Sequence, residues 1–248
     1  MFTTLVAVIF TLMLVAGVPA LSYSTARNPE VGKMPRLGLY ASAVLSQWLL
    51  TALGAGVVYL AARNVFVKGF ASMPWGPALG WGAGIAGASL LALGLVIWCE
   101  RRGWLPRESA LVYLLIPQTP REKLWGVLIL APTAAFCEEF LFRGYLLTQL
   151  QVWLHSLVWA WVLSSVAFGL AHCYQGGSGM TRAGVLGVLL AYPVVRWGNL
   201  YPAMLAHWMI DTAALLWLGP WMVKGSAVRE AESKEWDSPR QSSRGDKA

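Results

Sequence analysis

Charge is scarce in this sequence. Of 248 residues only 12% are Asp, Glu, Lys or Arg, whereas 57% are hydrophobic and the mean hydropathy is +0.55. Such a chain cannot dress a soluble domain with a charged shell, and it belongs in a bilayer. Cysteine is scarce too. Cys99, Cys137 and Cys173 are odd in number and lack metal-ligand spacing, which excludes a disulfide framework. No Lys or Arg precedes the first apolar run, Met1 to Leu21, as it would in a secretory signal. The run is therefore expected to stay as a helix, although Val18-Pro19-Ala20 loosely resembles a cleavage site. Internal repeats and an H-E-x-x-H zinc motif are also missing.

What the sequence does have is long apolar runs. A helix needs about 20 apolar residues to cross the hydrocarbon core, and runs near 1–21, 38–62, 78–98, 133–151, 153–172, 183–196 and 200–222 suggest an all-α bundle of about seven transmembrane helices. Trp48, Trp75, Trp98, Trp125, Trp153 and Trp221 fall near the expected ends, as in interfacial aromatic belts. The stretch Ser109 to Ile116 is too short to span and lies between Pro106 and Pro117, so it is expected to rest at the interface. The parts are then N-terminal helices with an interfacial segment (1–123), a helical core (124–222), and a charged, Ser- and Gly-containing tail (223–248) with little to bury, expected to be disordered.

The net charge of +7 does not point to nucleic acid, because the basic residues sit between apolar runs rather than on one face. Segments 22–37, 99–132, 173–182 and the tail hold 15 of the 19 Lys and Arg. The alternate loops hold Arg63, Lys68 and Arg196, and Arg143 lies within a span. That asymmetry predicts a cytoplasmic tail and an external N-terminus in a plasma (inner) membrane.

Three strings carry chemistry. In Ala134-Ala135-Phe136-Cys137-Glu138-Glu139-Phe140-Leu141-Phe142-Arg143, three ionisable groups interrupt an apolar helix. Each costs about 2.5–3.5 kcal/mol at mid-span. Glu139 and Arg143, four apart, share a helical face and can pair, whereas Glu138 is turned away by about 100°. Glu138 is the free carboxylate, suited to act as a general base on water. The second string, Phe168-Gly169-Leu170-Ala171-His172, ends the next span, with Gly169 permitting close helix packing. In the third, His207-Trp208-Met209-Ile210-Asp211, His207 and Asp211 lie four apart on the last span. Each string also has a bland reading: an ion cluster that locks helices, a packed histidine, an Asp that holds a His.

In combination and in this order, E-E-x-x-x-R, F-x-x-x-H and H-x-x-x-N/D on successive helices resemble the CPBP family of CAAX proteases and bacteriocin-processing enzymes, relatives of the Ras-converting CAAX prenyl protease. The resemblance covers roughly Leu124 to Trp217 and includes Ala183-Gly184-Val185-Leu186-Gly187 and Gly198-Asn199-Leu200-Tyr201-Pro202; the first three spans show no motif. It implies a glutamic-type intramembrane endopeptidase in which Glu138 and His172 activate water while His207 and residue 211 stabilise the oxyanion, with Glu139, Arg143 and Phe168 in support. The family commonly has Asn at the last position, and this chain has Asp211. An ionised Asp cannot donate to an oxyanion, so Asp211 is either protonated or orients His207.

The expected partners are a peptide or protein substrate and the lipid bilayer, with no nucleic acid; a monomer is one possibility and the oligomeric state stays open. No cofactor is required on this reading. Two alternatives stay open: zinc held by Glu138, His172, His207 and Asp211, or a non-catalytic scaffold or immunity protein that binds peptides. A transporter would need its charges spread along a path.

Other residues are set aside. Cys137 and Cys173 adjoin Glu138 and His172 and should turn away from the cleft. His155, among Trp153, Trp159 and Trp161, is expected at the outer interface. Arg182 and Arg196 are read as loop charges or substrate contacts. The three strings reach a common depth, by this reading, only if Glu138 lies about 9 Å into a helix beginning after Pro132 and the segment 183–196, about 21 Å long, fails to cross.

Overall fold

A computed structural model describes residues 2–62, 73–106 and 108–221. The loop charges Arg63 and Lys68, Arg107, and the tail from 223 lie outside them. The described residues are helical, without a strand. The helices are α1 (Phe2–Arg27), α2 (Arg36–Ala61), α3 (Trp75–Arg101), the short α4 (Ala110–Leu115), α5 (Pro120–Leu154), α6 (Leu157–Ala171), α7 (Gly176–Trp197) and α8 (Tyr201–Ala213), which continues as a π-helical turn to Leu218.

The seven expected long helices are all present. Among the described residues, five regions are long and apolar enough to cross a membrane: α1, α2, α3, α5, and α7 with its preceding turn. α6 has 15 residues, about 22 Å of rise, and α8 is interrupted by His207 and Asp211. Large apolar side chains such as Leu53, Leu91, Leu95, Val158 and Trp159 face outward. An apolar exterior of this extent fits lipid, and the chain is an integral membrane protein.

Three boundaries differ from the sequence reading. Helix α5 starts at Pro120 rather than near 133, because Thr119 and Glu122 form a capping box ahead of it. The division drawn at 123/124 therefore falls inside a helix. Helix α7 starts at Gly176 and its 22 residues rise about 33 Å, so it is not the short segment expected from 183. Arg182 accordingly lies in a helix, buried and paired with Glu108 and Glu100, and is not a loop charge. Trp48 sits well inside α2, stacked on Phe136 at 5.4 Å, with its indole N–H donating to Thr133 Oγ1.

The interior gathers around α5. Phe10 and Leu14 of α1, Leu141, Phe142, Tyr145 and Leu146 of α5, and Phe168 of α6 form the largest apolar cluster. Tyr145 donates to the Ala7 carbonyl and Thr11 meets the same hydroxyl at 3.1 Å, tying α1 to α5. At the other side, Tyr40 of α2 donates to the Leu115 carbonyl and holds α4 in place.

Helices α6 and α7 pack as a hairpin at glycine contacts. A Cβ on Gly169 would sit 2.9 Å from the Met180 carbonyl oxygen, and one on Gly187 would sit 3.0 Å from the Cα of Ser165. Backbone cannot yield as a flexible side chain can. Gly169→Val is expected to cost about 1–3 kcal/mol and to lower the melting temperature of the detergent-solubilised chain.

Candidate active site

The convergence of the three strings begins with a turn. His155 closes α5 in the left-handed conformation (φ 50°), and Ser156 caps α6 by accepting from the Trp159 amide. Glu138 and His172 stand 17 residues before and after His155. Equal rise along two antiparallel helices brings them to one level. Glu138 itself lies 18 residues beyond Pro120, about 27 Å along α5, so the helix does not begin after Pro132.

The approach of α8 also differs. Since α7 is long enough to cross, the third string does not arrive through a short re-entrant segment. Instead the start of α8 docks against the middle of α5. His207 reaches Glu139, and the Trp208 indole donates to the Val127 carbonyl. Gly82 of α3 lies against Leu205 and the Pro202 carbonyl from the other side.

Glu139 is fully buried and Arg143 nearly so. Arg143 Nη1 donates to Glu139 Oε1 at 2.9 Å, the pairing that their spacing predicts. The backbone there is a nine-residue π-helix, Glu139–Leu147, where a regular α-helix was assumed. Such wide turns frequently accompany functional sites. The Arg143 guanidinium lies 4.0 Å over the Phe168 ring, which also stands edge-on to Phe142 and 4.6 Å from the His172 ring.

Glu139 has a second partner that the sequence did not indicate. The same Oε1 meets His207 Nδ1 at 2.8 Å. Glu139, rather than Asp211, thus fixes the His207 ring; Asp211 Oδ2 is 3.6 Å from Nε2, beyond hydrogen-bond range. This contact depends on how α8 docks on α5, and no local spacing encodes it.

Glu138, offset by one helical position, faces the other nitrogen of the same His207 ring. Its Oε1 accepts from Gln47 Nε2 at 2.8 Å, and its Oε2 is buried without a hydrogen-bond partner among the described residues. That oxygen lies 3.8 Å from Nε2 of His172 and 3.8 Å from Nε2 of His207. Because a carbonyl only accepts, His172 Nδ1 must donate to the Phe168 carbonyl, 2.8 Å away. The lone pair of His172 Nε2 is then turned toward Glu138. About a sixth of each of the Glu138 and His172 side chains remains exposed, 16% and 17%, whereas Glu139 and Arg143 are sealed. The site is open at the first pair and closed at the second.

Cys137 is buried, and Cys173 bonds the Pro19 carbonyl and Ser22 on α1, so neither thiol enters this arrangement. Among the described residues no group of three or more His, Cys, Asp and Glu side chains is gathered as metal ligands.

No curated protein and no solved structure matches the chain. A family model does match, over residues 120–213, and its description is type II CAAX prenyl endopeptidase, Rce1-like. Glu138, Glu139, Arg143, Phe168, His172, His207 and Asp211 all fall within that segment, which is an Rce1-like domain consistent with the CPBP family of CAAX-protease-type membrane hydrolases.

Proposed function

We propose that the chain is an intramembrane endopeptidase that hydrolyses a peptide bond in a membrane-anchored or membrane-associated peptide, using water activated by Glu138 and His172. The observation that carries this is the unpaired Glu138 Oε2, 3.8 Å from both imidazole Nε2 atoms. Glu138 Oε2 and His172 Nε2 are two acceptors facing each other with no donor between them. A water has two O–H donors, and one seated about 2.8 Å from each acceptor would satisfy both.

The steps follow from that seat. The water oxygen attacks the scissile carbonyl carbon as its proton passes to the Glu138–His172 pair. The carbonyl oxygen gains charge and is met by His207 Nε2–H, with the ring acting as an imidazolium whose Nδ1–H is anchored on Glu139. The C–N bond then breaks as the proton held by the pair moves to the leaving amine. No covalent acyl-enzyme forms. The orientation with the N-terminus outside and the tail in the cytoplasm belongs to this proposal and rests on the asymmetry of basic loops.

The test is a comparison of membrane proteomes from cells carrying the wild-type chain or Glu138→Ala. A membrane-associated precursor should accumulate in the variant while its shorter form disappears. Identical proteomes would favour a peptide-binding scaffold. The cleaved sequence then supplies a peptide for kinetics. Hydrolysis of that peptide is expected to persist in excess chelator; its loss, with recovery on stoichiometric zinc, would reassign the site to a zinc hydrolase.

A further inference from the structure

We infer that Gln47, on a helix outside the matched segment, is a positioning residue that fixes the Glu138 carboxylate and leaves one oxygen free between the two imidazoles. The inference rests on the hydrolase reading for its kinetic consequence, but not for the geometry itself.

Glu138 Oε1 accepts from Gln47 Nε2 at 2.8 Å across 91 residues of sequence, and the other oxygen, Oε2, accepts from nothing. A carboxylate on a flexible side chain would otherwise turn either oxygen toward the histidines. With Oε1 held from α2, rotation about the last side-chain bond is stopped and Oε2 stays 3.8 Å from each Nε2. The glutamine gives up something for this contact. Its own carbonyl oxygen is buried and unpaired, a loss that costs about 1–3 kcal/mol. A glutamine serving only to glue helices would be expected to use both ends of its amide.

The surroundings of Gln47 make the contact rigid. The next residue, Trp48, stacks on Phe136, and two turns further on Gly54 admits Leu141 so closely that a Cβ would lie 2.9 Å from its methyl group. Helix α2 is thus fixed against α5 next to the amide and again two turns beyond it. The catalytic centre is then incomplete in the matched segment alone, since one of the contacts to its base comes from α2.

Two readouts test this on the full chain in nanodiscs. The first is the side-chain carboxyl resonance of Glu138 in protein labelled with carboxyl-13C glutamate, assigned by its loss in Glu138→Gln. Gln47→Met, which keeps the volume and removes the donor, should shift that resonance. Thr133→Val, which removes a contact between the same two helices, should leave it in place. The second readout is hydrolysis of the peptide identified from the proteome comparison. Gln47→Met should lower kcat by about 10- to 100-fold with KM within about twofold, and Thr133→Val should change neither. Gln47→Leu serves as the second apolar variant if Gln47→Met melts early.

An unmoved Glu138 resonance in folded Gln47 variants overturns the proposal. So does an equal shift in Thr133→Val, or a raised KM at unchanged kcat. If no peptide is cleaved by the wild type, the hydrolase reading falls, while the resonance still decides whether Gln47 holds the carboxylate.

Discussion

Replacing Glu138 by Gln is expected to lower turnover about 1,000-fold while the melting temperature and the membrane-inserted yield stay near wild type. A general base contributes about 10²–10⁴ in rate, and the amide cannot take a proton from water. The stability half of the expectation comes from the pairing pattern. Glu138 Oε2 has no hydrogen-bond partner to lose, its side chain is partly open, and the amide keeps an oxygen that Gln47 Nε2 can reach. His172→Ala should follow the same pattern, because the hydrogen bond its ring makes among the described residues is local, to the Phe168 carbonyl. Wild-type turnover in purified Glu138→Gln would remove the base from the mechanism. A variant that is inactive because it has unfolded would show as a lowered melting temperature, so the two causes are separable.

Much of this arrangement is legible in the sequence, and the part that is not has identifiable causes. Apolar runs locate the seven long helices because lipid tolerates few charges and each exception stands out. The 100° offset between neighbouring helical positions separates Glu138 from Glu139 before any contact is seen. The helix starts are harder. Thr119-Pro120-Arg121-Glu122 is a capping signature that begins α5, but a hydropathy criterion stops at its polar residues. The stretch 173–182, with three glycines and Arg182, reads as a loop, yet from Gly176 it is helix. Its glycines serve close packing: a Cβ on Gly177 would meet Pro106 at 2.9 Å. Arg182 is satisfied there by Ser178 one turn before it and by Glu100 and Glu108, two carboxylates that its own neighbourhood in sequence does not announce as partners. Gln47 was missed for a related reason. A single amide in an apolar helix has no motif, and its meaning lies wholly in the carboxylate it reaches.

The same distinction between local and long-range pairing sets the expected behaviour of the Glu139–Arg143 pair. Arg143→Leu is expected to destabilise the chain by about 3–5 kcal/mol, because it leaves a fully buried carboxylate short of a partner. Glu139→Leu should cost a similar amount, since the guanidinium then loses its carboxylate and keeps the face of Phe168. Thermal melting of the purified variants measures both. The two single variants should nevertheless differ in activity among the molecules that remain folded. Without Arg143, Glu139 Oε1 still accepts from His207 Nδ1, and the ring keeps its orientation toward Glu138. Without Glu139, His207 loses the acceptor that fixes it, and oxyanion stabilisation by Nε2 should fall; removing one such donor costs about 100- to 1,000-fold in kcat. Equal kcat per folded molecule in the two variants would contradict the role given to Glu139, whereas a larger loss in Glu139→Leu would separate the residue that steers a histidine from the one that only neutralises a buried charge.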